Sequence, residues 1–478
     1  MILASLAQVG QQAIALALVI AVSRILSPNA VGVFLMAYTV VLLVLPLRDF
    51  QIQSFVIQRE TIDEAIMGAV SFAAWTSALA SLAACLAGVL AFSLVFPGSG
   101  IAECLLIMTI ACLIRPFSLT ASALLAREQH YGPLAAIKLA AALARAAVTL
   151  GLLALGQGPE ALAWGLIAEN LVELAAIALV PRAMRLPRPR ASGSGEVFAF
   201  SAPLAGSHLV ITLSTALTPL LIGGYQGLAM TAFFNRARTV SQFFRSIIEI
   251  GVQPIVLSEF ARTRGDLAEL RQTFLKATGL LTAVTWPALA WLIASATPLS
   301  VALFGAEWAE VAPLAQLLAL GAIVYSATAL SQQLHAALGQ SKLLMLREGL
   351  LQLPLLAIIL IAAPISTLAV TGGIALTALL SFAVNMALLA RNLDLALSQL
   401  ARATWKSGTV AALTGLVACA VLQIPVVSFN SAQTLALLLV AGALSWLASL
   451  AALRHPLLEE GRRSWASLTE RPIDRPGA

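Results

Sequence analysis

Charge is what this sequence has least of. Only 10 % of its 478 residues are Asp, Glu, Lys or Arg, whereas soluble globular chains carry ~25 %, so an ordinary soluble domain is excluded. Cysteine is scarce as well. Cys85, Cys104, Cys112 and Cys419 lie in apolar runs without CxxC spacing or a neighbouring His cluster, which excludes a metal site built on thiolates and reads as small core residues. Histidine is equally sparse. His130, His208, His335 and His455 are scattered and give no nucleophile–base or metal-ligand spacing, so no metal and no cofactor is expected. No basic run is interleaved with aromatics, so the net charge of +6 is not a nucleic-acid footprint. Segments of ~10 residues alternating apolar and polar are missing too, which excludes an outer-membrane barrel. No basic stretch precedes the first apolar run, from Ile2 to Val22, so that run reads as a span and not as a cleavable leader.

What the sequence has in abundance is apolar length. Hydrophobic residues make up 60 % of the chain and the mean hydropathy is +0.93. A helical span needs ~20 apolar residues. Breaks placed where Pro, Gly and charge cluster give about fourteen spans, at 2–23, 30–48, 65–95, 101–125, 133–155, 160–181, 198–222, 228–256, 274–298, 311–338, 342–363, 367–390, 405–425 and 432–453. The fold class expected is an all-α polytopic membrane protein. Positive charge gathers in alternate loops: Arg48 and Arg59, then Arg127, Arg182 to Arg190, Arg262 to Arg271, Lys342, Arg391 to Lys406, and the tail from Arg454. By the positive-inside rule these loops and both termini are cytoplasmic. All loops are short. The segment 258–274 has the pattern either of a short amphipathic surface helix or of a solvated connector.

A Pro-, Arg- and Gly-rich stretch, PRAMRLPRPRASGSG, reads as a flexible bridge. It organises the chain into a first lobe at 1–181, a linker at 182–197, a second lobe at 198–391, two further spans within 392–453 and a tail at 454–478. Sliding the sequence by about 200 residues produces an internal echo. Phe34, Ala37, Thr39, Val40, Gln53 and Val56 recur as Phe234, Ala237, Thr239, Val240, Gln253 and Val256, and Asp49 recurs as Glu249. The second copy starts after an even number of spans, so both copies keep one orientation. This is a parallel repeat of two six-helix lobes, with two helices left over at the C-terminal end.

Against this background the few charges inside the spans stand out: Arg115, Arg145, Arg236, Arg238, Arg245, Glu169, Glu173 and Glu249. A charge at bilayer depth costs at least ~2.5–3.5 kcal/mol, so these side chains are expected to face protein or water and to mark the path of something polar. Glu169 and Glu173 are four residues apart on one helix face, and Arg145 lies on the preceding span. A structural pair of Arg145 with either glutamate is one reading, and a coupling site binding H⁺ or Na⁺ is the other. Arg245 and Glu249 share a face in the same way. Arg24, Arg115 and Arg236 have no carboxylate at helical spacing.

The connections carry recognisable motifs. Arg24, Leu26, Pro28 and Gly32 form R-x-L-x-P-x-x-x-G. Phe234, Asn235, Arg236 and Ala237 open the eighth span, and Phe304, Gly305 and Trp308 form a later F-G-x-x-W. In this order and spacing, over almost the full length, the chain resembles the polysaccharide-type repeat-unit flippases of the multidrug/oligosaccharidyl-lipid/polysaccharide exporter superfamily. The tyrosine common before the Asn-Arg of that family is Phe234 here. The resemblance implies a two-lobed bundle with a central cationic cavity. It also implies a polyprenyl-diphosphate-linked oligosaccharide as cargo, flipped across a bacterial inner membrane among membrane lipids and other polysaccharide assembly proteins. Arginine suits a diphosphate because its planar fork gives bidentate charge-assisted bonds. Arg24, Arg115, Arg236 and Asn235 are therefore the expected headgroup residues, the bland alternatives being a helix cap for Arg24, a buried ion pair for Arg115 and interfacial snorkelling for Arg236. Trp286, Trp291 and Trp308 offer either sugar-stacking faces or membrane-interface anchors. A multidrug or cation antiporter of the same architecture would call for an acidic cavity. A polymerase or ligase would call for a large loop bearing charged residues. A peptidoglycan-precursor flippase is a close variant of the first reading.

Overall fold

The computed structural model describes residues 2–179, 188–424 and 431–458; within the helices, the side chains of 2–6, 207, 210–211, 244–255, 341–342, 345 and 431–432 are outside the described set. Among the described residues the regular structure is entirely helical. The first eight helices are α1 (Ile2–Ile25), α2 (Pro28–Asp49), α3 (Ile52–Gln58), α4 (Glu64–Val95), α5 (Ile101–Arg127), α6 (Tyr131–Ala154), α7 (Glu160–Ala178) and α8 (Ser194–Gln226). They are followed by α9 (Leu228–Thr263), α10 (Leu267–Phe304), α11 (Val311–Ser326), α12 (Ser331–Ala337), α13 (Ser341–Ala362), α14 (Thr367–Leu393), α15 (Leu397–Gln423) and α16 (Ser431–Ala452).

Among the described residues the apolar runs expected from the sequence fall largely on helix. Eleven stretches among the described residues are long and apolar enough to cross a membrane. The runs at 198–222, 228–256 and 342–363 coincide with α8, α9 and α13, which contain side chains outside the described set. Two short helices, α3 and α12, are set off by breaks, of which one falls inside an expected run and the other just after the run at 30–48. One break separates α2 from α3 and the other, at residues 327–330, separates α11 from α12. The segment 258–274 forms no separate surface helix. α9 runs on to Thr263, and α10 starts at Leu267 because Asp266 accepts the free N–H groups of Ala268 (2.8 Å) and Glu269 (3.2 Å). Helices of 36 and 38 residues exceed the ~30 Å hydrocarbon core, and their overhanging ends carry the Glu259–Arg262–Glu269 ion cluster.

The chain forms two compact units, Met1–Ala232 and Phe233–Ala478. In the first, α8 packs on α2, α3 and α4. Part of the expected bridge, 180–187, is outside the described residues. Its far end is fastened: the Arg190 N–H donates to the Gly68 carbonyl at 2.9 Å, and Glu196 pairs with Arg59. The motif residue Gly32 serves close packing, since a Cβ there would collide with the backbone carbonyl of Leu228.

Two helix ends are built alike. After α5, Gln129 adopts a left-handed conformation (φ 58°), with Glu128, Gln129 and His130 donating to Leu124, Ala126 and Leu125. After α12, Gly339 does the same (φ 70°), with Leu338, Gly339 and Gln340 donating to Leu334, Ala336 and His335. Both are helix-terminating turns in which a left-handed residue lets the last carbonyls find donors.

In the second unit, α10 is the central post, flanked by α11, α15 and α16. Its Pro287 has no N–H, which orphans the carbonyl of Ala283 one turn earlier. The indole N–H of Trp446 on α16 fills that vacancy at 2.9 Å. In return, Trp291 of α10 donates to the Leu438 carbonyl of α16 at 2.9 Å, and Gly442 leaves room for its ring. Trp286 similarly donates to Ile323 and Ser326 of α11. Trp446→Phe should therefore lower stability by about 1–2 kcal/mol through the reopened carbonyl. The loss should shrink in a Pro287→Ala background, where the helix supplies its own donor. Thermal unfolding of the four variants in detergent measures this coupling, and equal losses in both backgrounds would remove this account of Trp446.

Candidate functional site

The first unit gathers its intramembrane charges around the break in α2. Phe50 and Gln51 both sit in the left-handed region (φ 38° and 52°), a conformation that costs non-glycine residues ~1–2 kcal/mol each. Surrounding packing holds it. Ile52, Phe55 and Val56 of α3 bury against Val70, Ala73 and Leu119 of α4 and α5. Arg127, which the sequence offered only as an orientation charge, donates to the carbonyls of Val56 (2.7 Å), Arg59 and Glu60 (2.9 Å). It thereby closes the C-terminal end of α3.

Directly before the break stands Asp49. It accepts from Arg48 at 3.1 Å and from Arg115 of α5 at 3.2 Å. Arg115 also donates to Glu173 of α7 at 3.1 Å, so a single guanidinium ties α2, α5 and α7 together. Arg115 lacks a partner at helical spacing, yet the fold supplies two from 66 and 58 residues away. The other choice left open by the sequence is resolved too: Arg145 pairs with Glu169 at 3.1 Å. Glu169 and Glu173 share one face of α7 but turn to arginines on different neighbours, α6 and α5. Asn170 donates to its own helix at Leu166. The four groups Arg48, Asp49, Arg115 and Glu173 are charge-balanced, and the carboxylate of Asp49 keeps 34 % exposure against 16 % for Glu173. Arg24 lies exposed in the last turn of α1, at the negative end of the helix dipole. His208 is exposed on α8.

In the second unit two of the sequence motifs meet. Gly305 takes φ 111°, a value that favours glycine, and turns the chain into the short 3₁₀ segment Ala306–Trp308. Trp308 is thereby buried beside Arg236, whose guanidinium carbon lies 5.4 Å from the ring centroid. Phe233 meets the same indole edge-on at 5.8 Å, and Arg236 donates to Asn235 at 3.4 Å. Arg236 is 4 % exposed and Trp308 1 %. Trp308 and Trp291 thus give their faces to protein packing, not to sugar; long-range contacts invisible in the sequence occupy them. Arg245, Glu249 and Gln253 lie outside the described side chains.

Sequence reasoning passed over Arg347. It is 5 % exposed. It donates to Asn385 of α14 at 2.6 Å and to Glu348 at 2.7 Å. Asn385 in turn donates to Thr328, within the break between α11 and α12, at 3.1 Å. A glutamate adjacent in sequence was the one available signal.

With this geometry in view, comparison with known proteins is informative. A family profile described as "Polysaccharide biosynthesis protein" matches residues 21–313. The chain belongs to this family. Among its relatives is the "Teichuronic acid biosynthesis protein TuaB" of Bacillus subtilis (strain 168), 27 % identical over 282 residues; the match covers 57 % of this chain and 58 % of that protein. The fold is that of a solved "Lipid II flippase MurJ, inward closed conformation", with TM-score 0.77 at 12 % identity, covering 96 % of this chain and 100 % of the other. A multidrug resistance MATE family transporter of the MOP superfamily, in an inward-facing conformation, is similar at TM-score 0.57 and 15 % identity over 80 % of this chain and 96 % of that one. This family member is therefore a multi-pass membrane protein with a flippase and transporter fold.

The two ion-pair systems of the first unit should respond differently to mutation. Arg115→Ala leaves two carboxylates without their shared cation and should cost about 2–3 kcal/mol, below the range for fully buried pairs because Asp49 remains partly solvated. Arg145→Ala removes a half-exposed pair and should cost under about 1 kcal/mol. Unfolding midpoints of the purified variants give the order, and a reversed order would contradict the burial argument.

Proposed function

We propose that the chain flips a polyprenyl-diphosphate-linked oligosaccharide repeat unit from the cytoplasmic to the periplasmic leaflet of a bacterial inner membrane, both termini being cytoplasmic. The observation that carries this reading is the joint occurrence, in one chain, of membership in a polysaccharide-biosynthesis family and a fold shared along 96 % of the chain with a lipid flippase. The parallel repeat supports alternating access, in which related lobes open to one side and then to the other. The cargo has a bulky anionic head and a lipid-soluble tail. Catalysis of a covalent step is not needed, only fixed cations for the diphosphate and a path for the sugars. Arg24, Arg115, Arg236 and Asn235 are proposed to serve the headgroup in the course of the cycle, Arg24 being exposed and Arg236 buried in this structure. An H⁺ or Na⁺ gradient is the proposed drive. Membrane lipids and other polysaccharide assembly proteins are the proposed partners.

Purified protein in liposomes should carry a fluorescent polyprenyl-diphosphate glycan across the bilayer. Arg24→Ala should slow it roughly tenfold, the loss of one charge-assisted contact, while helix content stays the same. Absence of glycolipid movement together with gradient-driven export of organic cations would replace this reading with the antiporter.

A further inference from the structure

The chain end that follows α16 is tied down by bonds that leave one ring no choice of state. Arg454 takes a left-handed conformation (φ 45°), and the N–H groups of Arg454 and His455 donate to Ala451 and Leu450 at 3.1 and 2.9 Å. The chain thereby turns back, and Leu457 and Leu458 pack with Trp446 against Ala283 of α10, Val410 of α15 and Leu450. His455 is 2 % exposed and Ser407 is fully buried. The Leu457 N–H donates to Nδ1 of the ring at 3.2 Å. A backbone N–H can only donate, so Nδ1 is a bare acceptor and the ring's proton sits on Nε2. Nε2 lies 3.3 Å from Oγ of Ser407 on α15. That hydroxyl in turn donates to the Gly279 carbonyl of α10 at 3.1 Å. This series of bonds is complete only when the ring is neutral.

We propose that His455 is a proton-sensitive latch, which as a neutral ring fastens residues 455–458 across α10 and α15 and as a cation releases them. The latch goes beyond the flippase reading and does not depend on the cargo. A second proton, on Nδ1, would face the Leu457 N–H, donor against donor. The charges near the ring do not compensate. Lys406 and, one turn earlier, Arg402 come from α15, Arg454 precedes the ring, and Lys276 stands one turn before Gly279 on α10. Lys406 holds the turn itself, donating to the Arg454 carbonyl at 3.2 Å. α15 and α16 contain no carboxylate, and α10 none after Glu269. Burial first, and the Lys406 charge second, hold the imidazole below the ordinary histidine value of 6.5. The released segment therefore binds the extra proton more readily than the latched one. The latch is at full strength above that ordinary value and weakens as pH falls below it. The other ties between α10 and α16 do not titrate, being Trp446 to Ala283 and Trp291 to Leu438. Acid should therefore free the end of α16 and leave its body docked.

The test is hydrogen exchange of the full-length protein in detergent, read by mass spectrometry and divided by the intrinsic rate at each pH. In wild type, peptides covering 453–458 should keep constant protection above the ordinary histidine value. Below it they should lose up to about tenfold per pH unit. Peptides covering 438–446, which carry the tryptophan ties, should stay protected throughout. His455→Asn keeps an acceptor for the Leu457 N–H, two residues on as in an Asx-turn, and cannot titrate. Its protection should not follow pH. His455→Ala should be weakly protected at every pH. Wild-type protection that stays level down to about pH 5 would overturn the latch. So would a His455→Asn variant that loses protection in parallel with wild type, since another group would then be the one titrating. Loss at 438–446 in step with 453–458 would also overturn it, because acid would then be loosening the whole helix. None of these results bears on the flippase reading.

Discussion

Inside a bilayer there is no water to complete a hydrogen bond, so each polar group at depth must find its partner within the protein. Much of this structure follows from that constraint. Prolines are tolerated in the spans because another helix supplies the missing donor, as Trp446 does for the carbonyl left open by Pro287. Serines and threonines return their hydroxyls to their own helices, as Thr39 does to Leu35 and Thr371 to Thr367. Breaks in the helices occur where other groups are ready to receive the exposed backbone. Arg127 closes the end of α3 with three carbonyls, and Asn385 binds the hydroxyl of Thr328 beside the break in α11–α12.

The same constraint organises the charges. In the first unit the intramembrane arginines Arg115 and Arg145 are balanced by carboxylates on other helices. In the second unit, among the described residues, the buried guanidinium of Arg347 is held by the Asn385 amide and the Glu348 carboxylate.

Much of the architecture was legible in the residues. Apolar run lengths placed the helices because a span must match bilayer thickness. The motif residues Gly32 and Gly305 were noticed from pattern, and their reasons are local: close approach to the Leu228 carbonyl and a positive φ before Trp308. The pairing of Arg145 with an α7 glutamate was foreseeable because the two helices are consecutive. Arg115 was not, since its partners come from α2 and α7. Arg347 was overlooked because a basic residue near a cytoplasmic loop has the same sequence appearance whether it faces solvent or the protein interior. The tryptophans were ambiguous for a similar reason, as an indole reads alike whether its face meets a sugar, a headgroup or an arginine.

By itself the sequence determined that this chain is built of helices and that these cross a membrane many times. These depend on composition and periodicity, which are properties of neighbours along the chain. Only the tertiary structure decided which charges neutralise one another, where two spans break, and that Trp308 covers Arg236. Those depend on distances between residues remote in sequence. At bilayer depth such distances govern whether a charge is a structural tie or a place for cargo, because a few ångströms separate a satisfied ion from an unpaired one.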